Sequence, residues 1–238
     1  MNENYFEHKT KTVEADNNFK HVMAITLDPR THYKEGIIRC IISREGDLET
    51  KGYVDRSELH IITGDSLEQF KIGEKLNIKN EDKIIGELVK EGGDFIGLED
   101  PDIWIDEATN LMHVYFTIPI RNKHTTTHLG HAVGESLDSL EMTMPVLMGG
   151  EGFRAKEVSI APINTKGFHY NLIESKDRQI DASYSVVQVA ITEDMGRPWQ
   201  YGDIVFHPKE HNILGLLVMP RPGHFFQITL LMLVRGSC

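Results

Sequence analysis

Asp28, Asp100 and Glu157 stand at the same point of a pattern that the chain writes three times. Residues 59–70 read LHIITGDSLEQF, residues 129–140 read LGHAVGESLDSL, and residues 187–199 read VQVAITEDMGRPW. Each is an apolar, β-prone run that breaks at a small or acidic turn and then reaches a Leu or Met. Ahead of each lies a partner segment, at 32–43, 103–117 and 160–175, and shortly before each partner stands one acid. A repeat of about sixty to seventy residues implies stacked or radially arranged β-modules. Radial packing would bring the three acids to one cavity. Carboxylates crowded together do not ionise equally, because repulsion and desolvation raise some and leave others low. That split supplies an acid and a base, which is what hydrolysis of a glycosidic bond requires. Taken singly the residues read more plainly: Asp-Pro is a common turn pair, and Glu157 alone is a solvated or ion-paired glutamate. Only the shared station raises the catalytic reading.

The bulk properties narrow the partners. The chain has 238 residues, 40% of them hydrophobic and 26% charged, so a packed globular core is expected. Its formal charge of −11 argues against nucleic acid, whose binding rests on cationic neutralisation of phosphates. The nearest thing to an anion pocket is a scatter of Arg44, Arg121, Arg154 and Lys156. Cys40 and Cys238 make neither a disulfide framework nor a metal knuckle, and Cys40 within IIRCII reads as a small buried hydrophobe. Residues 1–20 are polar with no apolar stretch of signal-peptide length, and no window is long and apolar enough for a membrane span. A cytoplasmic protein that meets no membrane is the expectation. The sequence does not specify an oligomeric state.

The elements that must position the acids are strands. Short apolar runs bounded by Gly, Asp, Asn and Pro dominate, and helical spacing appears only in pieces such as 82–90, where a hairpin competes. The pattern predicts modules at about 21–78, 95–148, 153–208 and, as a single hairpin, 215–238, within one domain spanning 1–238. Radial repetition is one way for such sheets to hide their edges. The expected fold is therefore all-β: a β-propeller with three full blades and part of a fourth. The finish at LLMLVRGSC favours a piece of a longer parent.

The segment GLEDPDIWID (97–106) resembles the Gly-x-Glu-Asp-Pro-Arg-Ile signature of glycoside hydrolase family 130, the mannosyl phosphorylases and related mannosidases. It is also similar to short segments of families 43, 32 and 68. IISRE (41–45) stands where family 130 has a Leu-Tyr-Arg strand end, and AKEVSIAP (155–162) where it has Lys-Asp before an apolar run. The resemblance implies a five-bladed propeller acting on an oligosaccharide or glycoside without a resident cofactor. A reading like family 130 makes Asp100 the proton donor, with Arg44 and Lys156 near inorganic phosphate as co-substrate. A reading like family 43 makes Asp28 the base that activates water, Asp100 the group that tunes the acid, and Glu157 the acid. The Arg after Glu-Asp-Pro in family 130 is Asp102 here, which weighs against phosphate capture. Water as acceptor, with inversion, is the expectation.

Other residues are weighed against simpler roles. Trp104, Tyr115, Phe168, His169 and Tyr170 could stack on sugar faces, but strand alternation places Trp104 and Tyr115 between sheets, and Trp199 reads as a blade anchor. Tyr170, Arg154 and His224 are retained as substrate-binding candidates. HTTTH (124–128) has the spacing of helical zinc ligands, but its threonines read as strand, so no metal is expected. No nucleophile elbow, P-loop or dinucleotide fingerprint occurs. Three functions compete: hydrolysis, phosphorolysis, and a catalytically silent propeller that binds glycans or a protein partner.

Overall fold

The computed structural model describes residues 12–13, 18–46, 53–66, 69–89, 92–122, 125–150, 154–176 and 185–208. The module expected at 215–238, with His224, lies outside the described residues. Among them, strands form three antiparallel sheets. The first contains β1 (His21–Leu27), β2 (Glu35–Glu45), β3 (Val54–Ser66) and β4 (Gln69–Lys75), in that order. In the second, two short edge strands, β5 (Asp94–Phe95) and β6 (Glu99–Ile105), pair with β7 (Met112–Arg121). β8 (Thr125–Gly134) and β9 (Glu141–Leu147) follow. The third runs β10 (Lys156–Ser159), β11 (His169–Lys176), β12 (Ser185–Thr192) and β13 (Gln200–Phe206). The three quoted sequence runs each start in the third strand of a sheet and lead up to or into the fourth. The leading strands lie side by side, β1 against β6 and β6 against β10, as the inner strands of a propeller do. The fold is all-β of the propeller type. Between the first two sheets the chain makes a helix, α1 (Glu81–Leu88), where the spacing at 82–90 left helix and hairpin open. Ile84 and Ile85 of α1 are buried in the core.

Apolar periodicity explains how the sheets stack. β7 reads MHVYFTIPIR and is buried along nearly its whole length. Its residues alternate between faces, as a strand demands. Met112, Val114, Phe116, Ile118 and Ile120 pack with Ile37 and Leu59 of the first sheet. Tyr115, between them in sequence, packs with Leu129, Ile173, Ala190 and Trp199 toward the third sheet. The middle sheet is thus covered on both faces and holds the outer two in fixed relation. Tyr115 donates its hydroxyl hydrogen to the Met195 carbonyl at 3.0 Å, and the Trp199 indole donates to the same oxygen at 3.2 Å. Tyr115 and Trp199 are therefore interior packing groups, and Trp104 is half-buried against the same core. His131 is a satisfied interior residue too, bonded to His113 at 2.9 Å and to the Thr143 hydroxyl at 2.8 Å.

Each leading strand carries the same irregularity. Register shifts fall between Met23 and Ile25 in β1, Glu99 and Asp102 in β6, and Lys156 and Val158 in β10. At each shift one non-glycine residue adopts a left-handed backbone: Ala24 at φ 48°, Asp100 at φ 47° and Glu157 at φ 45°. These are β-bulges, which insert an extra residue and re-aim its side chain. A non-glycine residue in that region costs of order 1 kcal/mol or more, so surrounding contacts must hold it there. The residues opposite the pre-bulge positions also correspond: Arg39 faces Met23, Thr117 faces Glu99, and Glu174 faces Lys156.

The approach to the second bulge is fixed by backbone crowding. Gly97 has φ +130°, and a Cβ there would lie 2.0 Å from the Ser57 carbonyl oxygen. The Ser57 amide bonds to the Ile96 carbonyl at 3.2 Å across the same junction. Gly97→Ala is expected to lower stability by about 2 kcal/mol or more, read as a drop in the urea or thermal midpoint. An unchanged midpoint would mean that this close approach does not fix the junction.

Candidate functional site

The bulges of β6 and β10 turn Asp100 and Glu157 toward one buried ammonium. Lys156, 2% exposed, lies 3.3 Å from Asp100 Oδ2 and 2.8 Å from Glu157 Oε1. The two carboxylate oxygens can be no farther apart than those lengths laid end to end, about 6 Å, the scale on which paired carboxylates cleave glycosides. Glu174 Oε2 lies 3.9 Å from the same ammonium, and Arg154 reaches Glu174 Oε1 at 3.5 Å. On the other side, Arg39 of β2 donates to Glu99 at 2.6 Å, Asp100 at 2.9 Å and the Ser57 hydroxyl at 2.8 Å. The Glu157 backbone amide donates to the Thr117 hydroxyl at 3.4 Å. In both cases a polar residue of one sheet's second strand grips the bulge of the next sheet. Buried charges persist only when paired and hydrogen-bonded, and this network pairs them.

Electrostatics split the two acids. Burial pushes the Asp100 carboxyl up, but the Lys156 ammonium and the Arg39 guanidinium outweigh it and hold the group below its ordinary range. Burial also pushes Glu157 up, and here the charges of Asp100 and Glu174 add to it while Lys156 only partly offsets it, so its carboxyl lies above the ordinary range. Burial would lower Lys156, yet Asp100, Glu157 and Glu174 together raise it and keep it charged. Glu99 is pushed up, chiefly by burial. The Glu157 side chain is 38% exposed against 11% for Asp100, so the group suited to carry a proton is also the more accessible. A carboxylate of lowered proton affinity beside one of raised proton affinity, joined by a fixed cation, is equipped for general acid catalysis on a substrate oxygen.

Asp28 is not part of this group. By register the equivalent of Asp100 and Glu157 in the first sheet is Ala24, and Asp28 follows four residues later, about 13 Å along the strand direction. Asp28 is buried, accepts from the Arg30 backbone amide at 2.8 Å and pairs with the Arg30 guanidinium at 2.9 Å. Arg30 in turn donates to the carbonyls of Asn110 and Glu135, at 2.9 and 3.0 Å. Asp28 thus anchors the first sheet to the second at the turn end. Arg44 is held by both oxygens of Asp55, at 2.5 and 2.6 Å. Tyr170, 44% exposed, pairs with Ile191 at the start of β11, four residues before Glu174 and so near the opposite end of that strand. Lys156 and Arg154 are in the cluster. Arg39, Glu99 and Glu174 belong there without having been singled out from sequence. The legible sign for Arg39 was an arginine inside the apolar run IIRCII, which must find buried anions. No set of three or more His, Cys, Asp or Glu among the described residues is placed to hold a metal ion.

Comparison with solved structures places this arrangement in a known architecture. A structure described as a glycoside hydrolase aligns with a TM-score of 0.58 at 12% identity, over 82% of this chain and 60% of its own. Two more distant likenesses are a family 117 glycoside hydrolase from Zobellia galactanivorans and an α-L-arabinofuranosidase from Clostridium thermocellum. The first has a TM-score of 0.47 and 14% identity, over 76% of this chain and 45% of its own. The second has a TM-score of 0.42 and 12% identity, over 79% and 52%. The chain thus spans about half of the length of these structures. No protein-family model matches the sequence, and no curated protein matches it. The fold is all-β of the propeller type and is similar to that of a solved glycoside hydrolase.

One carboxyl beside the network gives a pH test. Burial raises Asp102 to about 6 from 3.8, with only Thr26 and the Ile103 amide to favour its ionised form. Thr26 of β1 donates to it across the first two sheets at 3.4 Å. A raised folded-state pKa favours folding below about pH 4, and that contribution is lost as pH rises through 6. Asp102→Asn is therefore expected to match the wild type near pH 4. Above pH 7 it should exceed it by up to about 3 kcal/mol, the equivalent of the shift. Urea unfolding across pH 4–8 reads this, and a constant difference between the two proteins would refute it.

Proposed function

We propose that this chain is a glycoside hydrolase that acts on an oligosaccharide, with Glu157 as proton donor and Asp100 as its ionised partner. The observation that carries the reading is the Lys156 bridge, which sets two carboxyls of opposite proton affinity within about 6 Å. Glu157 would protonate the departing glycosidic oxygen as water adds to the anomeric carbon, and the proton that this water loses would restore the Glu157 carboxyl. Asp100, fixed by Arg39 and Lys156, raises the proton affinity of Glu157 and opposes the positive charge that develops on the sugar ring. The propeller fold shared with glycoside hydrolases supports the same assignment, as does the Glu-Asp-Pro resemblance to family 130. A ring of five blades is part of this proposal.

A second reading has one observation in its favour. Ala24 occupies the first bulge, where a third carboxylate would stand to activate water. Inorganic phosphate is already a nucleophile and needs no such base, so phosphorolysis fits an alanine at that station.

The test is a screen of aryl-glycosides and manno-oligosaccharides with and without phosphate. Hydrolysis predicts turnover in both conditions, and phosphorolysis predicts turnover only when phosphate is added. Glu157→Gln is expected to lower kcat by about a hundredfold or more, the usual contribution of a positioned general acid. An aryl-glycoside with an acidic leaving group should lose less. Asp28→Asn should leave kcat within a few-fold and instead lower the thermal midpoint, because its carboxylate serves Arg30. Full turnover by Glu157→Gln on a glycoside with a poor leaving group would overturn the assignment, as would sugar binding with no bond cleavage by the wild type under any condition.

A further inference from the structure

Among the arginines around the network, Arg154 is underused. Arg39 has three partners between 2.6 and 2.9 Å, and Arg44 is clasped by both oxygens of Asp55. Among the described residues Arg154 touches Glu174 through one nitrogen at 3.5 Å, and its buried Nε has no hydrogen-bond partner there. A guanidinium offers five donors in a planar fork that matches an oxyanion. Its side chain is 23% exposed, and through Glu174 and Lys156 it is linked to Glu157. A second cation lies near it by strand geometry: exposed Lys176 stands two residues beyond Glu174 in β11, on the same face of that strand.

Charge counting points the same way. The cluster holds four cations (Arg39, Arg154, Lys156, Lys176) and four carboxyls (Glu99, Asp100, Glu157, Glu174). A proton donor must enter the reaction protonated. With Glu157 neutral the cations of the cluster outnumber its ionised carboxyls by at least one.

We infer that Arg154 and Lys176 form a subsite for the carboxylate of an acidic sugar, so that the substrate is a uronate-containing oligosaccharide. This rests on the reading of Glu157 as proton donor for its position in the site, while the binding itself is measurable without turnover. The site selects an acidic sugar over a neutral one by a charge-assisted fork of hydrogen bonds, which is shorter and stronger than neutral pairs.

Calorimetric titration of Glu157→Gln tests it, since glutamine imitates the protonated acid and prevents cleavage. The probes are oligosaccharides of galacturonate, glucuronate and mannuronate, each paired with its carboxyl-reduced counterpart, and inorganic phosphate. At least one acidic oligosaccharide is expected to bind about tenfold or more tightly than its reduced partner, the scale of a hydrogen bond to a charged group. Arg154→Gln or Lys176→Gln, added separately, should erase most of that preference, so that each acidic oligosaccharide binds about as its reduced partner does. Equal binding of every acidic and reduced pair overturns the inference. So does tight binding of phosphate that both substitutions abolish without any preference for acidic sugar. Cleavage of neutral glycosides by the wild type without acidic preference would leave the hydrolase reading standing and remove this one. Acidic preference with no cleavage would do the reverse.

Discussion

A single ammonium inside the protein sets the terms for everything around it. Lys156 is buried between the second and third sheets, and a lone charge in that position would be costly enough to neutralise itself. It remains charged because Asp100, Glu157 and Glu174 surround it. Asp100 in turn needs Arg39 from the first sheet. One chain of opposite charges therefore crosses all three sheets, and removing any member leaves its neighbour as an uncompensated buried ion. Such breakage costs about 3–5 kcal/mol, whereas an intact buried pair contributes little net stability. The network is better understood as a device for position than for stability. It fixes which acid gives up its proton and which keeps it.

Apolar packing does the holding. β7 sends alternate side chains into two separate cores, so the sheets that carry Arg39 and Lys156 are both registered against one strand. The bulges add a second constraint. Three leading strands break register at the same station with a left-handed residue, yet only two of the three carry an acid there. The backbone device is thus common to the repeat, and the chemistry is written on it by residue choice.

This division explains what the sequence revealed and what it concealed. Alternating apolar runs and turn residues are local and periodic, so the strands and their threefold recurrence were readable from LHIITGDSLEQF and its two counterparts. The Glu-Asp-Pro and Lys-Glu dipeptides were readable because charged residues in β-prone runs ask for partners. The station was not. Asp28-Pro29 and Asp100-Pro101 look alike as text, but pairing with β2 and β7 aligns Asp100 with Ala24. A β-bulge adds a residue without altering composition, and no periodicity records it. Arg39 was concealed for a related reason: its partners lie about sixty positions away, on a strand that only the radial arrangement brings near.

The kink in β10 has a consequence for how the site could be lost. In a regular strand Lys156 and Glu157 would point to opposite faces, because successive side chains alternate. Here adjacent residues form an ion pair at 2.8 Å, which only the extra bulged residue permits. The pairing of these two side chains is therefore encoded partly in the number of residues between two ladder bonds. Trimming one residue from that short strand would restore a flat ladder, leave both side-chain types in the chain, and silence the pair by turning one of them away.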